Sequence, residues 1–464
     1  MSCKKNHDVG QMLMSSSLEK GNVELRHQKL NQEQHRENIV MAILLHEYPF
    51  QFVEHEGTRN MISYLNLNVK HVTHNTIKAD VLKFYRREKK KLFDILQSVP
   101  GRISLTSDLW TSIMTDGYIY LAAYFVDKDW ILQKRILNFH YMPTPHTGFA
   151  ISEMISSLLN EWNLEKKLFS ITLDNASSND SFVDFVKSQL CMRNGLLLNG
   201  EFFHVRCCAH ILNLIVQDGL KEIDSGIYKI RESVKFMKGS QSRKKKFHDC
   251  AQQMGINCKK GLREDVSTRW NSTYLMLESA LHYRDAFIHL SLSDSNYLHC
   301  PTLEEWNHIE NMVKFLKVFY DVTNIFSGTL YPTSNLFFLG MWRIQCILQE
   351  EARKPILFRS SSLSKMQAKF DKYRGAFSAI LAIAVILDPR YKMDIVEFAL
   401  TKLYGDDEGN NKVNNIREKL QKLFGEYCNI DLQNQGSSST IQTTQDQVIE
   451  GDPNDPLMVS THGS

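Results

Sequence analysis

The sequence predicts a mixed α/β protein, with a sheet laid down in the order β-β-β-α-β-α-β-α. A helical segment precedes the sheet and a large, mainly helical region follows it. Three observations predict this. Between Arg102 and Met142, the stretches RISLTSDLW, YIYLAAYFVD and ILQKRILNFHYM are rich in β-branched and aromatic residues and follow one another across short polar gaps. Strand and helix patterns then alternate through FSITLD, NASSND and FFHVRCCAHILNLIVQDGL. From Ile227 to Cys428 the 3.6-residue apolar period dominates.

Each element follows from local pattern. Residues 1–34 are polar, and the expectation is disorder. Residues 35–99 form a helical segment. Ile39, Ala42, Ile43, Leu45 and Tyr48 predict one helix over Glu37–Phe52, and Ile77, Val81, Phe84, Leu92, Ile95 and Leu96 a second over Thr76–Gln97. Asn75 and Thr76 are its N-cap candidates. The basic run at Arg86, Arg87 and Lys89–Lys91 reads as a solvated helix face, with a DNA-facing role as the alternative.

After Pro100-Gly101 the three strands form an antiparallel meander turned at Asp116-Gly117 and at Asp127-Lys128-Asp129. Ile151, Met154, Ile155, Leu158, Leu159 and Trp162 mark one side of the next helix. Two parallel crossovers then complete a mixed sheet with helices on both faces. The sheet core is expected over 100–225 and the helical region over 226–428. A Ser-, Thr-, Gln- and Gly-rich linker or tail fills 429–464.

With 464 residues, 43% hydrophobic and 23% charged, the chain is long enough for two or three domains. A net charge of +3 means that any nucleic-acid binding rests on local patches. No apolar run approaches the ~18–20 residues that span a bilayer, and MSCKKNHDVGQMLMSSS lacks a signal-peptide middle. The nine cysteines include no CxxC, which points to a reducing compartment and to no structural zinc.

Asp108 and Asp174 each end an apolar strand. Ligands of open α/β sheets bind beyond the carboxyl ends of the strands. Two such acids on neighbouring strands suit a shared divalent cation acting on a phosphodiester. The structural alternatives are that Asp174-Asn175 caps the next helix and that Asp108 bonds within a turn. The strand order itself is that of the RNase H-like fold, whose first and fourth strands carry metal-binding acids.

Together LTSDLWTS, ITLDNASSND, RCCAHILNLIVQDGL and DVSTRWNSTYLML resemble the hAT (hobo/Activator-type) transposases. The resemblance is closer to the plant RICESLEEPER and DAYSLEEPER group of zinc-finger BED-type proteins. HEYPFQFVEHEG and LDPRYKM also look like that group, so the likeness covers about 35–428. It implies a nuclear, DNA-binding, transposable-element-derived plant protein. Asp108 and Asp174 match the first two acids of the family's Asp-Asp-Glu triad, with Mg²⁺ as the implied ion. Cys207-Cys208-Ala209-His210 matches its C-x-x-H motif and puts His210 near the scissile DNA; a buried thiol beside a helix-starting histidine, or half a zinc site, are the alternatives. Arg269-Trp270 matches its R-W pair, in which the tryptophan stacks on a displaced base; otherwise Trp270 is a core aromatic. Lys244, Lys245, Lys246, Lys259 and Lys260 are candidate nonspecific phosphate contacts, or else a solvated loop.

Three family features are not found in the sequence. There is no BED finger, no C-terminal dimerisation region, and no A-S-E-x-A-F-S-like helix carrying the third acid. Glu304, Glu305 and Glu397 have no context that nominates a substitute. The expectation is therefore a transposase-derived DNA-binding protein with an incomplete catalytic site, little or no strand cleavage of its own and family-type dimerisation in doubt. A domesticated regulator is one form of it. The alternatives are an active metal-dependent nuclease completed by a partner, and a protein-interaction scaffold.

Overall fold

The computed structural model describes residues 13–19, 22–28, 30–112, 115–220, 225–266, 269–328, 331–353, 360–374 and 379–436. The chain divides between Pro100 and Gly101 into two compact units.

The first unit opens with an antiparallel pair, β1 (Leu13–Glu19) and β2 (Asn22–Gln28). This corrects the expectation of disorder over 1–34. Main-chain pairing of adjacent segments does not need the apolar pattern on which that expectation relied; residues 1–12 lie outside the described residues. Helix α1 (Gln32–His46) starts before Glu37 because Asn31 Oδ1 accepts the N–H groups of Glu33 and Gln34, at 2.9 and 3.2 Å. It ends where Glu47 turns left-handed, φ 56°, ahead of Pro49. A 3-10 turn at Phe50–Glu54 and α2 (Glu56–Leu65) lead to α3 (His74–Ser98). Thr73, rather than Asn75 or Thr76, caps α3, its Oγ1 accepting the Thr76 N–H at 3.3 Å. Ile39, Ile43, Val53 and Ile77 form the small core. Arg36 grips Asp80 through two bonds of 2.8 and 2.5 Å, and Arg87 of the basic run pairs with Glu37 of α1.

The second unit holds β3 (Ile103–Thr111), β4 (Gly117–Val126), β5 (Leu132–Met142), α4 (Gly148–Glu161), β6 (Leu168–Leu173), α5 (Ser177–Met192), β7 (His204–Arg206) and α6 (Cys208–Leu220). This is the expected element order. The spatial order is β5-β4-β3-β6-β7, with β3 antiparallel to β4 and parallel to β6, and β6 parallel to β7. The alternation of YIYLAAYF sorts the two faces. Ile119, Leu121, Ala123 and Phe125 are buried, and on the neighbouring edge strand Asn138 accepts the indole N–H of Trp162, beyond α4, at 2.5 Å. Tyr118, Tyr120 and Tyr124 lie on the other face. Gly117 is required where β4 begins, since a Cβ would run into the His146 ring and the Met142 carbonyl. The second turn is tied by Asp127 Oδ1, which accepts the N–H groups of Asp129 and Ile131 at 3.0 and 2.9 Å.

The helical remainder comprises α7 (Ser225–Lys238), α8 (Gln241–Gln253), α9 (Trp270–His282), α10 (Arg284–Ser293), α11 (Leu303–Phe326), α12 (Phe337–Ala352), α13 (Ser360–Arg374), α14 (Ala379–Ile386), α15 (Lys392–Tyr404) and α16 (Asp406–Gly436). One apolar core runs from Ile211, Leu212 and Ile215 of α6 through Leu277, Trp306 and Phe319 to Ile416. Helix α6 therefore joins the sheet to the helical region. The last helix continues to Gly436, which corrects the tail expected from 429. The stretch NIDLQNQ contains neither Pro nor Gly to stop a helix already propagating from Asp406. Residues 437–464 of that tail lie outside the described residues. No described helix is long and apolar enough to cross a membrane.

Candidate active site

Strands β3 and β6 run parallel, with Thr106 opposite Thr172. Side chains alternate along a strand, so Asp108 and Asp174, each two residues further on, leave on the same face and at the same end. The N–H of Cys207 donates to the Leu173 carbonyl at 2.8 Å and brings the first turn of α6, with His210, to that end. These groups sense one another. The Asp108 carboxyl is raised above the usual range, by partial burial first and by the Asp174 charge second; the Leu109 N–H and His210 oppose this. The Cys207 thiol is pushed up by burial, with both carboxylates adding to it, and burial pushes Cys208 up as well. Neither thiol is an activated nucleophile.

The sign of the Asp108 shift yields a prediction. A carboxyl raised in the fold loses stability as pH rises through the carboxylate range, because its ionisation is harder folded than unfolded. At neutral pH Asp108→Asn is expected to raise the melting temperature slightly in divalent-free buffer, and the gain should vanish near pH 3. The effect is small because Asp108 is exposed to screening solvent. A melting temperature lowered at both pH values would show that the carboxylate is structural.

Asp174 serves structure with one oxygen. Its Oδ1 accepts the Ala176 N–H at 3.1 Å and Asn179 Nδ2 at 2.5 Å, which fixes the entry to α5; among the described residues Oδ2 accepts nothing. Neither Asp174 nor Asn175 caps the helix: the N-cap is Ala176, which makes no side-chain cap bond, and Asp174 Oδ1 ties the turn before it. Beside it, Asn175 Oδ1 takes a bond from Arg206 at 3.3 Å, and Arg206 pairs with Asp180 at 2.8 Å. The Asn175 amide nitrogen is buried without a partner among the described residues, so it can donate to an incoming oxygen. Asn175, Asn179 and Arg206 were not among the sequence candidates. NASSND supplies the two asparagines, but a cap pattern does not say which oxygen is left over.

The other candidates lie on α8, at the start of α9 and in the segment between them. Trp270 is 2% exposed and starts α9 inside the helical core, so no base can stack on it in this arrangement. In this arrangement Trp270 packs as a core aromatic. Arg269, just before it, is exposed. Lys244 and Lys245 are exposed on α8, whereas Lys246 is held by Asp294 at 2.9 Å and by the Ser293 carbonyl at 3.2 Å. Lys259 and Lys260 are exposed in the loop after α8. Tyr283 joins the two lysine groups: its hydroxyl donates to the Lys260 carbonyl and its ring lies 5.4 Å from Phe247 of α8. Among the described residues no cluster of three or more His, Cys, Asp or Glu side chains is arranged to hold a metal ion.

Comparison with known families adds the following. Residues 106–202 match the ZBED1 RNase-like domain, 205–315 the ZBED1 RNase-like helical domain, and 335–427 the hAT-like transposase, RNase-H fold. The chain is 41% identical over 390 residues to zinc finger BED domain-containing protein RICESLEEPER 2 of Oryza sativa subsp. japonica, covering 84% of this chain and 54% of that protein. It is 36% identical over 426 residues to the putative AC transposase of Zea mays, covering 91% and 52%. With DAYSLEEPER of Arabidopsis thaliana it shares 34% over 397 residues, covering 86% and 57%. The chain spans about half the length of these curated relatives.

Proposed function

Because this chain belongs to the hAT-like, RNase-H-fold transposase family, we propose that it is a transposase-derived DNA-binding protein whose strand-end acids form part of a divalent-metal site. The observation that carries this reading is the placement of Asp108 and Asp174 on neighbouring parallel strands, close enough that one carboxylate raises the other. A cation between them would relieve that repulsion, and Asp174 Oδ2 is the oxygen left for it. Mg²⁺ suits two carboxylates and supplies charge neutralisation at a phosphodiester oxygen. Around the pair, His210 offers a ring nitrogen and Asn175 an amide donor for DNA oxygens. Lys244, Lys245, Lys259, Lys260 and Arg269 contact phosphates without reading sequence. The setting for such a protein is the nucleus.

Two carboxylates alone hold an ion weakly, and phosphoryl transfer depends on positioning and charge neutralisation. The described residues are therefore expected to bind DNA with little or no strand cleavage, as in a domesticated regulator. The test is retention and nicking of labelled duplex DNA by the chain, with and without Mg²⁺. Retention should fall steeply with salt. Changing Lys244, Lys245, Lys259 and Lys260 to Gln should flatten the log–log salt slope by about 3–4. Mg²⁺-dependent nicking abolished by Asp108→Ala and by Asp174→Ala would replace the incomplete site with a working nuclease. If no DNA is retained even at low salt, the chain is a protein-interaction scaffold instead.

A further inference from the structure

We propose that the uncovered face of β3, β4 and β5 is a stacking platform for single-stranded DNA that leads to the Asp108–Asp174 end of the sheet. Register builds it. Asp108 lies opposite Tyr120 and Tyr120 opposite Phe139; Trp110 lies opposite Tyr118 and Tyr118 opposite Tyr141. The rings form one continuous group. Phe139 is centred 5.4 Å from Trp110 and 5.3 Å from Tyr118, Trp110 is 6.1 Å from both Tyr118 and Tyr120, and Tyr141 is 5.9 Å from Tyr118. Phe139 is 60% exposed, Tyr141 54% and Trp110 39%. Further along the same face, Tyr124 lies opposite Lys134, whose Nζ sits 5.5 Å from the ring centroid.

The opposite face of β3 and β4 is already buried, so the rings are not needed for the sheet's core. A solvent-facing sheet surface is ordinarily polar. Rings beside a lysine give flat stacking surfaces and a phosphate partner, the two elements of a sequence-tolerant single-strand site. From Tyr118 to Tyr124 the face extends about 20 Å, the reach of a few unstacked nucleotides. Most of the rings are tyrosines, whose hydroxyls keep the surface wettable while it awaits a ligand. The face also runs without interruption into Asp108. The choice of DNA as ligand rests on the function proposed above.

The test is fluorescence anisotropy of the full chain, without divalent ions, using a labelled oligothymidylate of about 12 residues and a duplex of the same length. The double variant Trp110→Ala/Phe139→Ala should weaken oligothymidylate binding at least about tenfold and duplex binding less than about twofold, since each lost stacking contact is worth about 5–150-fold. The milder pair Trp110→Phe/Phe139→Tyr should keep most of the affinity. Both alanine sites are solvent-facing, and an unchanged melting temperature would show that the fold is intact. Equal loss on both DNAs, or no loss on oligothymidylate, overturns the proposal. So does unchanged oligothymidylate binding with an altered oligomeric state by light scattering, which assigns the face to a second copy. Duplex retention without single-strand binding removes the platform and leaves the proposed function standing; loss of both removes both.

Discussion

Replacing Trp270 with alanine should lower the stability of the second unit by about 3–5 kcal/mol, the range for truncating a buried tryptophan. The side chain is 2% exposed and belongs to the same apolar core as Tyr274, Leu277 and Trp306, so its loss leaves a cavity among close-packed neighbours. Equilibrium urea unfolding followed by far-ultraviolet circular dichroism measures this, and the loss should be the same with and without DNA. A variant of unchanged stability with lost DNA retention would return Trp270 to the role of a base platform. The neighbouring Arg269→Ala should do the reverse, lowering retention with little effect on unfolding, because Arg269 is exposed and makes no side-chain cap to α9.

Asp265→Ala is the second substitution with a large expected effect, a loss of about 3 kcal/mol or more. Arg231 of α7 binds this carboxylate through Nε at 3.1 and 3.0 Å and through Nη2 at 2.6 Å, and Thr273 of α9 adds a hydroxyl at 3.3 Å. The carboxylate is nearly buried. Removing it strands a guanidinium in a partly buried site, which costs more than the pair itself contributes. The double variant Arg231→Met/Asp265→Leu should recover much of the loss, since neither charge is then left alone. Chemical denaturation of the single and double variants forms the cycle. A loss below about 1 kcal/mol for Asp265→Ala would class the pair with exposed salt bridges. Asp265 also anchors the segment that carries Arg269, so its loss should weaken DNA retention as well.

Much of the fold was legible because its determinants are local. The period-2 stretches and the helical period define the order of elements, and acids at two strand ends mark one end of the sheet. Register then converts that order into proximity: Thr106 opposite Thr172 is enough to put Asp108 beside Asp174. Errors arose where a local signal had two physical outcomes. Asn75 and Thr76 look as good as Thr73 for a cap, but only Thr73 turns extended with its hydroxyl on the Thr76 N–H. The Ser- and Gln-rich composition after Asn429 masks a helix that simply continues to Gly436.

By itself, the sequence determined the α/β class, the order of elements along the chain, the two acids and the family. Each of these rests on short-range periodicity or on motifs read in one stretch of chain. Only the tertiary structure decided what the ambiguous side chains do. Trp270 became core because α9 packs into an apolar interior shared with distant helices, and Lys246 was claimed by Asp294 across the fold. Asp174 commits one oxygen to the entry of α5, while its other oxygen accepts nothing among the described residues. The rings of Trp110, Tyr118, Tyr120 and Phe139 became one surface only when three strands aligned. Burial and register are sums over contacts far apart in the chain, and no local pattern contains them.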